Sequence, residues 1–192
     1  MMRPHLIDQD LMALIRAPLT GFANPTFKTD LDDWQSPCEV LRDLNHSYWY
    51  PRAQIPKMSF TGFETAIEQP VHPDLKAFYL SLWSGALPCM LDGLPISLIQ
   101  IWNPDDFERL IGNLIGHYLM QKNAGAALTL FFATVEDGSE KIISLDNRTG
   151  QILLETPGMG DGEVLAPSLT QFLSLLNLQP APLNPIEMPH HD

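Results

Sequence analysis

The apolar positions along this chain change period several times. From Leu6 to Ile15 they recur at helical spacing until Pro18 stops the pattern. A stretch bearing prolines and aromatics then runs to Pro56 with few clear periods and reads as loops and short strands. Helical spacing returns from Phe60 to Glu68, and Pro73 and Asp74 open a second short helix, DLKAFYLSLWSG, for which Gly85 is the expected stop. PCML and PISLIQIW flank Asp92-Gly93, a dipeptide whose turn needs positive φ, so a β-hairpin is predicted there.

NPDDFERLIGNLIGHYLMQK, residues 103–122, follows as a helix with an apolar stripe of Phe107, Leu110, Ile111, Leu114, Tyr118 and Leu119, and His117 at its margin. Asn103 suits the cap, Pro104 the first helical position and Asp106 the capping-box acid. Gly112 and Gly116 form a GxxxG, which reads as a close contact of helix on sheet. TLFFATV, KIISL and QILLE are then strands joined by the Gly-bearing links EDGSE and DNRTG, and SLTQFLSLLNL closes the domain as a helix. This order predicts a single α+β domain with a mainly antiparallel β-sheet packed by α-helices. Residues 1–178 form the expected domain, with 1–35 a variable helical and loop region. The tail 179–192, QPAPLNPIEMPHHD, has four prolines and reads as flexible.

Charge sharpens this picture. Of 192 residues 45% are hydrophobic, enough for one core, but 23 acids against 11 bases leave a net charge of -12. Residues 1–60, 61–110 and 111–192 contribute -1, -5 and -6, so the excess sits in the sheet-and-helix part. Nucleic acid and anionic lipid both recruit Lys and Arg, so neither is an expected partner. An acidic surface favours a basic protein by steering, and acidity also serves plain solubility.

Asp8 and Asp10 come too early for a signal peptide and no apolar run is long enough to span a bilayer, so a cytoplasmic protein is expected. Cys38 and Cys89 read as packed thiols, since their spacing suits no zinc motif. The six histidines form no HExxH pattern, and His190-His191-Asp192 is at most a weak metal chelate, so no metal or cofactor is expected. GMGDG, residues 158–162, lacks the Lys-Ser/Thr of a phosphate loop and reads as a flexible acidic loop. No catalytic residue is assigned, and a small hydrolase using His117 stays open as an alternative.

The acids have different local explanations. Asp105, Asp106 and Glu108 stand at the positive end of a helix, where each contributes about 0.3 to 1 kcal/mol. Glu64 and Glu68 are four apart, so on a helix they repel each other with no evident stabilising purpose.

SLIQIWNPDDFERLIGNLIGHYLMQK and TLFFATVEDGSEKIISLDNRTGQILLETPG resemble the Syd family of Gram-negative bacteria, through W-x-x-x-D-F and N-L-I-G-H-x-x-x-Q-K. Ser36-Pro37-Cys38, Tyr48-Trp49 with Pro51, Phe63 to Ala66 and Phe78-Tyr79 follow the family order. The resemblance implies a SUKH-like α+β fold and a non-enzymatic protein; a monomer is expected. It implies an acidic concave surface that binds SecY, the pore subunit of the export channel, at the cytoplasmic face of the inner membrane. Cytoplasmic loops of such membrane proteins are rich in Lys and Arg. Glu64, Glu68, Asp105 and Asp106 match acids of the family pattern. With Asp92 and Glu108, which lie near in sequence or helix phase, they are the expected lining of that surface. Pro18, Pro25 and the tail depart from the pattern. An adaptor or immunity-type protein of the same superfamily, binding another basic protein, is the other reading.

Overall fold

Helix α1 (Leu6–Arg16) is capped by His5, whose ring accepts the N–H of Ile7 while Asp8 accepts that of His5. The computed structural model describes residues 5–19, 26–31, 33–159 and 162–179; Pro25, His190, His191 and nearly all of the Pro-rich tail lie outside these. After α1 a 3₁₀ turn, Ala17–Leu19, carries Pro18, whose fixed φ suits a tight turn but removes a helix donor.

The stretch with few periods contains a small antiparallel sheet. Strands β1 (Phe27–Asp30), β2 (Glu39–Arg42) and β3 (His46–Trp49) lie in the order β1-β3-β2, with β3 in the centre. Burial alternates in β3 alone and over four residues, too short for a sequence period to stand out. Strand β4 (Arg52–Ala53) follows, then helices α2 (Thr61–Ile67) and α3 (Pro73–Ser81), then β5 (Leu82–Trp83), which pairs with β4. Gly85 does not end α3. The helix stops at Ser81, where the buried Gln54 amide donates to the carbonyls of Tyr79 and Leu82, both at 2.9 Å. Gly85 serves packing instead, because a Cβ there would stand 2.6 Å from the Trp49 ring.

The main sheet is a meander. Strands β6 (Leu87–Leu91) and β7 (Leu94–Leu98) meet at the Asp92-Gly93 turn, where both φ are positive, 46° and 87°. Helix α4 (Pro104–Ala124) interrupts, and β8 (Thr129–Val135), β9 (Ile142–Asp146), β10 (Ile152–Glu155) and β11 (Gly162–Ala166) continue. Helix α5 (Leu169–Ser174), capped by Ser168, leads into β12 (Asn177–Leu178). The closing helix is thus shorter than predicted, because Asn177 and Leu178 pair with β6 and complete the order β11-β10-β9-β8-β7-β6-β12. Every pair between these strands is antiparallel, as the α+β reading required. GMGDG gives way to strand at Gly162; Gly160 and Asp161 lie outside the described residues.

One face of the main sheet is the core. Leu130, Leu145 and Ile152, register neighbours on β8, β9 and β10, are fully buried, and Phe132 packs edge-on between Phe78 of α3 and Phe172 of α5. Each such side chain contributes about 1.5 to 3 kcal/mol by leaving water. The opposite face meets α4, where the His117 and Phe131 rings are 5.5 Å apart. Cys38 and Cys89 are free and buried, and burial pushes their thiols up to about 11 and about 12, so neither is a thiolate at neutral pH.

Candidate partner-binding surface

The front of α4 is built by its own sequence. Asn103 accepts the N–H of Asp106 at 2.8 Å, and Asp106 takes the N–H of Trp102 at 2.9 Å, one residue earlier than a standard capping box. Asp106 also receives Arg109 at 2.6 Å and is buried, so its charge is spent inside the cap. Asp105 and Glu108 are exposed on the outer side of the same turns.

Other contacts show why the aromatic residues of the first third matter. Trp102 donates from its indole to the Trp34 carbonyl at 3.0 Å, Ser36 donates to the Trp102 carbonyl, and Asn103 donates to Gln35 at 2.9 Å. Phe27 stacks on Trp49, and Trp49 meets Trp102 edge-on at 5.9 Å. The segment 34–38 therefore straps the small sheet to the start of α4.

The buried stripe of α4 is Phe107, Leu110, Leu114, His117 and Gln121, a rotation from the predicted stripe. Leu119 is 49% exposed, and His117 sits within the stripe rather than at its margin. Two polar side chains are admitted because the sheet offers partners: Gln121 donates to Thr129 and lies 2.9 Å from the His117 ring, and Thr129 donates to Glu155 at 2.6 Å. Burial lowers the His117 pKa, against a raising effect of Glu155 at 3.8 Å. The Thr129 hydroxyl is turned to a carboxylate and is buried, so this cluster braces helix on sheet. The GxxxG is not a packing contact either: Gly112 and Gly116 are exposed, and a Cβ at either would meet nothing within 4 Å.

Glu64 has a stabilising purpose after all. It accepts the Val71 N–H at 2.9 Å and Lys76 at 2.7 Å, and the Lys76 contact lowers its pKa. Glu68 stands past the helix end at φ 57°, so the two acids do not share a helical face. Phe60, the residue before α2, meets Phe107 of α4 at 5.4 Å, which sets α2, with Glu64 on it and Glu68 just past its end, beside the helix that carries Asp105, Asp106 and Glu108.

Asp92 lies elsewhere, in the β6–β7 turn. The β8–β9 turn reaches the same end of the sheet, where Glu136 donates its N–H to the Pro95 carbonyl at 2.8 Å. That end holds the exposed acids Asp92, Glu136, Asp137 and Glu140, with Lys141 the cation between these turns. Sequence reasoning singled out only Asp92 of this group; EDGSE was legible as a turn, but its acids carry no spacing that points to a site. Among the described residues no group of three or more His, Cys, Asp or Glu is placed to hold a metal ion, and no helix is long and apolar enough to cross a membrane.

Between the small sheet, the main sheet and α4 lies a cleft of about 940 Å³, to which Trp34, Trp49, Trp102, Ile99, Phe131 and Arg109 contribute. Arg109 lies over the Trp34 ring at 5.3 Å. The family model for the Syd protein (SUKH-2) matches residues 20–180, which span every element from the small sheet to β12. The chain belongs to the Syd family. A protein named Protein Syd from Pectobacterium carotovorum subsp. carotovorum is 41% identical over 142 residues, covering 74% of this chain and 78% of that protein. Protein Syd of Colwellia psychrerythraea is 36% identical over 162 residues, covering 79% and 80%. Protein Syd of Yersinia pseudotuberculosis is 37% identical over 147 residues, covering 77% and 80%. The W-x-x-x-D-F motif has a local purpose in this fold: Trp102, Asp106 and Phe107 together hold cap, strap and α2.

Proposed function

We propose that this protein is a non-enzymatic acidic binding protein that engages the basic cytoplasmic loops of SecY. Through that partner it is held loosely at the cytoplasmic face of the inner membrane, where it sequesters uncomplexed SecY or restrains the translocase. Membership of the Syd family supports the choice of partner. The observation that carries the mode of binding is the gathering of Asp92, Glu136, Asp137 and Glu140 at one end of the sheet, in a chain of net charge -12.

Asp92, Glu68, Asp105 and Glu108 are exposed and have no ion-pair partner among the described residues, so they act as the charges a basic loop meets. Glu64 and Asp106 shape the surface, since their carboxylates already hold Lys76 and Arg109. Attraction between exposed charges is screened over about 8 Å at physiological salt, so the complex is reversible and salt-sensitive.

The experiment is a salt series of affinity for purified SecY in detergent. Reversal of Asp92 and Asp137 to Lys, and separately of Glu68 and Asp105 to Lys, is expected to weaken binding and flatten its salt dependence. Wild-type affinity and slope in both double variants would remove these acids from the site.

A further inference from the structure

The cleft differs in character from the acidic surface. Its charged side chains nearly cancel: Arg109 is paired with Asp106 and Arg42 with Glu39, each at 2.6 Å, while Lys28 and Asp30 stand two residues apart on β1. A basic loop gains no charge attraction inside it. What the cleft offers is indole surface and main chain.

All four residues of β1, Phe27 to Asp30, border the cleft, whereas β3 contributes only the alternate residues Ser47 and Trp49. Successive side chains of a strand point to opposite faces, so a cavity that touches four in a row approaches the strand along its edge. Among the described residues β1 pairs on one side only, with β3. Its other edge has no strand partner among the described residues, so the main-chain donors and acceptors along it are the ones a further strand would meet. Among the described residues three further polar groups of cleft-lining residues are buried without a hydrogen-bond partner: the Ser47 hydroxyl, the Trp49 indole N–H and the Gln100 carboxamide oxygen.

We propose that the cleft receives an extended stretch of the partner's polypeptide, which adds as a strand to the open edge of β1 and seats an apolar side chain against Trp34, Trp102 and Phe131. This rests on the reading of the protein as a binder of SecY loops and deepens it: acids capture the basic residues of the loop, and the cleft reads its backbone and one apolar residue. Strand addition takes affinity from main-chain hydrogen bonds and selectivity from alternate side chains. An anchor residue in a desolvated pocket commonly carries much of the binding energy.

The test uses the full chain and purified SecY in detergent. Hydrogen exchange of the β1 amides is expected to slow in the complex. Ser97 lines the cleft and is partly exposed; S97W is expected to narrow the cleft and weaken binding at least about tenfold, about 1.4 kcal/mol, with the salt slope kept. Three of the four tryptophans border the cleft, so binding is also expected to shift emission to the blue. Unchanged β1 exchange in a formed complex, or wild-type affinity of a folded S97W, overturns the proposal and leaves the acidic-surface reading standing. Absence of binding by the wild type overturns both.

Discussion

His117 and Glu64 show how burial decides the meaning of a titratable residue. His117 is held by Gln121, Thr129 and Phe131 at the helix-sheet contact, and burial lowers its pKa. The unfolded chain takes up this proton near pH 6.5 while the folded form resists it, so stability is full above that value and falls as pH drops below it. Urea midpoints of the wild type should therefore decline as pH falls below about 6.5, and His117→Asn should flatten that decline. Glu64 works in the same direction lower down. Lys76 lowers its pKa, so its contribution is present above about pH 4.3 and lost as pH falls. Glu64→Gln should cost about 1 kcal/mol at neutral pH and little in acid, read from the same denaturant series.

At the scale of the element, α4 joins a strong start to a costly middle. Asn103 both caps the helix and donates to Gln35, so Asn103→Ala should cost about 1 kcal/mol or more and speed amide exchange in residues 34–38, where a surface substitution would not. Gly112 and Gly116 lie in the exposed middle of the helix with open space around them. Each weakens it by about 0.5 to 1 kcal/mol relative to alanine, so Gly112→Ala and Gly116→Ala should raise the thermal midpoint. A rise in stability with unchanged SecY affinity would show that this flank of α4 meets no partner.

At the scale of the molecule, the acidic turns and the longest run of exposed apolar side chains lie in different parts of the fold. The hairpin-turn end is acidic, while Leu31, Trp34, Val40, Leu41, Leu44 and Ile55 are exposed around the small sheet and the loop that follows it. A net charge of -12 repels itself in the compact state, and salt relieves this. The thermal midpoint should be higher near 0.15 M than near 0.01 M salt, with Asp137→Lys narrowing the difference.

The local signals in this sequence were sufficient wherever the interaction is local. Asp92-Gly93 needs positive φ at neighbouring positions and Asn103-Pro104 organises a helix start; each is decided within a few residues, and so is the order of hairpins that makes the sheet antiparallel. The Syd family motif was legible too, because W-x-x-x-D-F is a run of consecutive contacts around one helix end. What only the tertiary structure decided are the properties that depend on distant partners. Lys76 made Glu64 structural, Trp49 gave Gly85 its reason, the sheet turned His117 inward and left Gly112 and Gly116 in the open, and the return of the chain set Glu136 to Glu140 beside Asp92. Charge and burial act through space, so a sequence can say which residues are acidic, and the fold alone says which of them share a surface.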